Sequence, residues 1–167
     1  MIWGLTLAAA LAGSLLTASP AGAVSAKKPL QGSFHEEFSF DIDCGTFLLH
    51  EDVVEDGAFT VFFDADGAPT NVIVHHHFHG VITNPAGETF DDPGDWTDFI
   101  DLAGTPDDIE DDILSQAGSI FRIRVPSEGI VVQDTGLIIF FPDGTVEIHG
   151  PHEQFVAGDA LICDNLG

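Results

Sequence analysis

Between Gly118 and His152 the chain runs through four short apolar segments, each closed off by turn-forming residues. Phe121, Ile123 and Val125 alternate with Arg122 and Arg124, which sends apolar and polar side chains to opposite faces of a strand. Pro126-Ser127-Glu128-Gly129, Asp134-Thr135-Gly136 and Pro142-Asp143-Gly144 separate the segments. Pro presets φ at the start of a turn and Gly accepts positive φ near its end. The pattern reads as an antiparallel meander and argues against a mainly helical chain.

The same signals recur upstream. Ser33 to Phe40, Gly45 to Val54, Ala58 to Phe63, Asn71 to Phe78 and Gly80 to Thr83 read as strands. Glu55-Asp56-Gly57, Asp64-Ala65-Asp66-Gly67 and Asn84-Pro85-Ala86-Gly87 read as the turns between them. Ala160 to Cys163 reads as a last short strand. Thr105-Pro106-Asp107-Asp108 has a capping Thr, a Pro in the first turn and acids facing the positive end of a helix dipole, and predicts one short helix over Pro106–Gln116. About eight short strands at this spacing predict an all-β fold, a small antiparallel β-barrel with one short helix.

Residues 1–23 have the features of a cleaved signal peptide: an apolar run from Leu5 to Leu16, then Ala21-Gly22-Ala23 as a small-x-small site. No Lys or Arg precedes the run, a departure from the usual pattern. Residues 24–32 read as a flexible leader, and residues 33–167 as a single barrel domain large enough for its own core. No other stretch is long and apolar enough to span a membrane. Export implies an oxidising compartment, in which the two cysteines, Cys44 and Cys163, are expected to form a disulfide. That bond would bring the first and last strands together.

The sequence holds 28 acidic against 4 basic residues, a net charge of −24. Such a chain repels nucleic acid and anionic lipid, and favours cations or basic partners. It is nonetheless built to fold, with 44% hydrophobic residues and 14 Phe.

The candidate chemistry is sparse. In Val74-His75-His76-His77-Phe78-His79, a strand places His75, His77 and His79 on one face, the spacing used by His-x-His metal sites. The alternative is a solvated, His-rich face. Asp64-Ala65-Asp66-Gly67 begins like a calcium loop but lacks its later acidic ligands. Asp134-Thr135-Gly136 matches the triplet of aspartic proteases, which need two such aspartates; a single copy so near the end of this sequence reads as a turn. No nucleophile elbow, zinc-protease pair or phosphate loop is present. The site residues and the need for an enzyme activity therefore stay open; no cofactor is predicted apart from a divalent metal at the histidines.

Thr83-Asn84-Pro85-Ala86-Gly87, Arg122-Ile123-Arg124-Val125-Pro126-Ser127-Glu128-Gly129-Ile130-Val131-Val132, Asp134-Thr135-Gly136, Pro142-Asp143-Gly144 and Gly150-Pro151-His152, together with Cys44 and Cys163, follow one another in a recognisable order. In this the chain resembles a group of small secreted proteins of actinobacterial type, from high-GC Gram-positive bacteria. The resemblance implies a calycin or allene-oxide-cyclase-like β-barrel and carries no activity with it. The functional expectation is a secreted, non-catalytic module, either binding a small apolar or amphipathic ligand inside the barrel, or serving as an extracellular structural protein, with cations as further candidate partners of its acidic surface. The alternative is a divalent-metal-binding protein or metal-dependent enzyme using His75, His77 and His79.

Overall fold

The computed structural model describes residues 27–102, 111–126 and 128–167. Their core is one antiparallel sheet of seven strands: β1 (Leu30–Asp43), β2 (Leu48–Phe63), β3 (Pro69–Thr83), β4 (Thr89–Asp101), β5 (Ile113–Val125), β6 (Gly129–Phe140) and β7 (Val146–His149). Each strand pairs only with its neighbours in sequence, in the order β1 to β7. Two short helices follow, α1 (Glu153–Ala157) and α2 (Asp159–Leu166). The all-β expectation holds, but the sheet is not closed: β1 and β7 do not pair, so the barrel is open along one side.

The alternation in sequence becomes two distinct faces. Registers align Phe34, Gly57, His76, Trp96, Gly118 and Gly136 in one row across six strands, all on one face, which we call concave. In this row the Phe34 ring lies over Gly57, and the main chain at Trp96 closes on Gly118. A Cβ on Gly57 would sit 2.1 Å from the Phe34 ring, and one on Gly118 would sit 2.6 Å from Trp96 Cα. The same device recurs one row away, where the Phe59 ring covers Gly32 at 2.4 Å. Any side chain at these positions would displace the ring or the neighbouring strand.

That device corrects two expected turns. Glu55-Asp56-Gly57 lies inside β2, and Asp134-Thr135-Gly136 lies inside β6. Gly57 and Gly136 serve there as close-approach positions rather than chain reversals. Consequently the two expected strands on either side of Gly57 are one, as are Asn71–Phe78 and Gly80–Thr83 in β3. The other turns fall where the sequence put them. Gly67 N–H donates to Asp64 O at 3.2 Å, Gly87 N–H to Asn84 O at 2.9 Å and Gly144 N–H to Phe141 O at 3.0 Å. All three glycines have positive φ.

Ala160–Cys163 is the other correction: it is helical, within α2. A short apolar run has no period long enough to separate strand from helix. Here packing decides, because Ile162 and Leu166 share one side and both are buried. They join Ile42, Leu49, Ile82, Phe90, Ile123 and Val132 in the apolar core. Those sheet residues come from the ends nearest the β1–β2, β3–β4 and β5–β6 connections, so α2 plugs one end of the curled sheet. Asn84 Nδ2 donates to Leu166 O at 3.2 Å, and Cys44 is bonded to Cys163 across 119 residues. The predicted proximity of the chain's two cysteines holds, though the second sits on a helix. The expected helix over Pro106–Gln116 falls partly outside the described residues; its last part, from Ile113, is strand β5. The expected leader ends early, because β1 begins at Leu30. Among the described residues no helix is long and apolar enough to cross a membrane.

Because the disulfide closes so long a loop, loop-closure entropy assigns it about 4–5 kcal/mol. Cys163→Ser is therefore expected to lower the urea unfolding free energy by roughly that amount. The main-chain signature of loss should be faster amide exchange in α2, with the centre of the sheet protected.

Candidate functional site

Sequence parity placed His75, His77 and His79 together, and the structure keeps them together on the convex, solvent-facing side of β3. They do not converge. His75 Nδ1 lies 2.9 Å from Thr97 Oγ1, and His77 Nδ1 lies 3.5 Å from Asp95 Oδ2. His79 borders an open depression of about 390 Å³ shared with Glu37, Asp52 and Val81. Among the described residues no group of three or more His, Cys, Asp or Glu side chains is gathered so as to hold a metal ion. His149 and Glu147 stand 3.7 Å apart on β7, and His152 is buried at the start of α1, so neither joins the β3 histidines.

The histidine that matters for the interior is the one left out of that set. His76 points to the concave face, its ring stacked on Trp96 with centroids 4.6 Å apart and planes 6° from parallel. The Phe34 ring meets it edge-on at 5.7 Å. Nδ1 lies 2.6 Å from Glu55 Oε1. Nε2 lies 3.3 Å from Asp98 Oδ2, close enough for an ion pair but off the line of a hydrogen bond. Gln116 Nε2 donates to the other Asp98 oxygen at 3.1 Å. The three charged side chains are only 8–13% exposed. Burial alone would lower the His76 pKa; Asp98 and Glu55 more than reverse this and raise it to about 9. His76 is thus an imidazolium at neutral pH, held between two carboxylates.

Closer to α2 lies a second polar layer. Glu51 on β2 is 1% exposed and Asp92 on β4 is fully buried. Gly80 on β3 separates them, and its missing side chain makes room for the Glu51 carboxylate, since a Cβ there would sit 2.1 Å from Glu51 Oε1. Burial, with the Asp92 charge beside it, pushes Glu51 up to about 8. Burial also raises Asp92, to about 6, against the opposing pull of the Arg122 backbone N–H, which donates to Oδ1 at 2.9 Å. Glu51 Oε1 and Asp92 Oδ2 have no hydrogen-bond partner. Asp134 continues the layer on β6. Its two oxygens accept the backbone N–H groups of Gln154 (2.7 Å) and Phe155 (2.9 Å) at the start of α1. The Asp134-Thr135-Gly136 triplet therefore docks a helix.

The concave face as a whole is aromatic and acidic. Glu36 opposes Glu55 across β1 and β2, one row from Phe34 and His76. Burial falls along this face from the α2 end, where Leu49, Ile82 and Val132 are inaccessible, to the far end, where Val72, Val74, Ile100 and Leu114 are only half-buried. Among the described residues no Ser, Thr or Cys hydroxyl or thiol is hydrogen-bonded to His76. The arrangement offers charge and aromatic surface, and no nucleophile–base pair.

Matched against protein-family models, curated proteins and solved structures, the chain resembles none of them.

Glu51, Asp92 and His76 all hold a proton more tightly in the folded chain than in the unfolded one. The stability each contributes is complete below its unfolded pKa and is lost as pH rises through its folded value. The losses fall between 3.8 and about 6 for Asp92, between 4.5 and about 8 for Glu51, and between 6.5 and about 9 for His76. Unfolding free energy should therefore fall steadily from pH 5 to pH 9. Glu51→Gln should raise stability at pH 9 and flatten that slope, as read from urea titrations at each pH. His76→Leu should cost about 3–5 kcal/mol near neutral pH, because it strands two buried carboxylates.

Proposed function

We propose that this is a secreted, non-catalytic binding module whose open concave face takes a small amphipathic cation, an ammonium group carried on an aromatic or apolar body. The observation behind the reading is the composition of that face beside the open side of the sheet. Phe34, Phe38 and Trp96 supply flat apolar surface, while Glu36, Glu55 and Asp98 set three carboxylates against the single imidazolium of His76. A cation is attracted to such a face twice, by the excess negative charge and by the ring faces. An anion of the same shape is repelled. The Cys44–Cys163 bond is in keeping with an oxidising, extracellular setting. His76 speaks against catalysis at this face, because both ring nitrogens are directed at carboxylates and, among the described residues, no nucleophile stands beside them.

The test compares two probes of equal size, 2-phenylethylammonium and phenylacetate, by calorimetry and by shifts of the Trp96 indole resonance. The ammonium probe is expected to bind saturably and to perturb Trp96, and phenylacetate is not. Glu36→Gln should weaken the ammonium probe about tenfold, the effect of one partly desolvated charge contact. Equal binding of both probes, or of neither, removes the proposal.

A further inference from the structure

Strand β1 is the long free edge of the sheet. Among the described residues its only strand neighbour is β2, so alternate backbone N–H and C=O groups between Leu30 and Asp43 face away from the sheet. Edges of this kind are normally protected by Pro, by charged side chains and above all Lys, by a bulge or by shortness. β7, the opposite edge, has four residues. β1 has fourteen, contains neither Pro nor Lys, and pairs with β2 without a register shift.

Its side chains divide by face. Phe34 and Phe38 lie on the concave side, and Phe38 is 39% exposed. His35, Glu37, Ser39 and Asp41 lie on the convex side, where the Glu37 and Asp41 side chains are 73% and 56% exposed. The acidic side continues into the depression beside Glu37, Asp52 and His79. The edge is therefore aromatic on one side, with Glu36 between Phe34 and Phe38, and acidic on the other. A second copy of the chain would bring acidic residues against acidic residues, with a net charge of −24 on each molecule.

We infer that β1 accepts an extended segment of a partner protein as a further strand, one in which apolar residues alternate with Lys or Arg. The backbone of that segment bonds to the free groups of β1. Its apolar residues extend the rows of Phe34 and Phe38, and its basic residues stand beside Glu37 and Asp41. This shares Phe34 and Phe38 with the small-cation reading, but its test reads protection of the β1 backbone, which binding of a small cation does not require, so the two can fail separately.

The probe is a heptapeptide of alternating valine and lysine, capped at both ends. Its controls are the valine–glutamate peptide and a valine–lysine peptide N-methylated at alternate residues. Binding is followed by fluorescence anisotropy, and the site by amide hydrogen exchange. The lysine peptide is expected to bind, more weakly as salt rises, and to slow exchange at alternate amides of β1. The glutamate peptide is expected not to bind, and N-methylation of the set facing β1 is expected to abolish binding. Glu37→Lys combined with Asp41→Lys should weaken the lysine peptide about fivefold or more, since two exposed charge contacts are reversed. The inference is overturned if the N-methylated peptides bind as well as the parent, if protection appears elsewhere than β1, or if β1 is already protected in a concentration-dependent dimer.

Discussion

Rings laid over glycines set the shape of this sheet. Phe34 on Gly57 and Phe59 on Gly32 let large side chains lie flat along the concave face instead of standing up from it, and Gly118 lets its strand close on the main chain at Trp96. Two consequences follow. Neighbouring strands can curl toward that face without their side chains colliding. The rings then form the wall against which His76 stacks, and that contact fixes the orientation of the imidazole toward Glu55 and Asp98. The buried ion cluster thus depends on positions that carry no side chain at all.

The interior is layered by polarity. Apolar side chains and α2 fill one end. Glu51, Asp92 and Asp134 form a buried acidic layer above them, and His76 with its two carboxylates sits beyond that. An acidic layer beneath a half-open surface is expensive at high pH, where each carboxyl must ionise without water. It becomes inexpensive once the carboxyls are protonated. The balance of the fold therefore tilts toward mildly acidic conditions, and the strongly negative exterior adds self-repulsion in the same direction.

Much of this was legible in the sequence. Strand alternation, the turns at Gly67, Gly87 and Gly144, and the Cys44–Cys163 bond all follow from local rules that the structure obeys. The two misplaced turns share a cause. Glycine after an acid or beside Thr reads as a turn, yet Gly57 and Gly136 are in strands because a ring or another backbone occupies the space next to them, and that neighbour lies far away in sequence. Barrel closure was expected from strand number, but β7 has four residues and does not pair with β1, and the run read as a last strand, Ala160–Cys163, is helical and packs at one end of the sheet. The His75, His77, His79 face was visible by parity. His76 was also visible, on the parity shared with Phe78, but its partners Glu55 and Asp98 belong to other strands and could not be picked out among so many acids.

The strictly sequential order of the strands bears on how such a chain takes shape when it emerges from one end. Each strand meets its next partner as soon as the following hairpin appears, with little chain to organise in between. The plug at the end of the sheet is different. Cys44 stands at the end of the first strand and has nothing to bond with until α2 arrives, 119 residues later. Until then the apolar end of the sheet lies uncovered, and the closing covalent bond records that the last helix has found its seat.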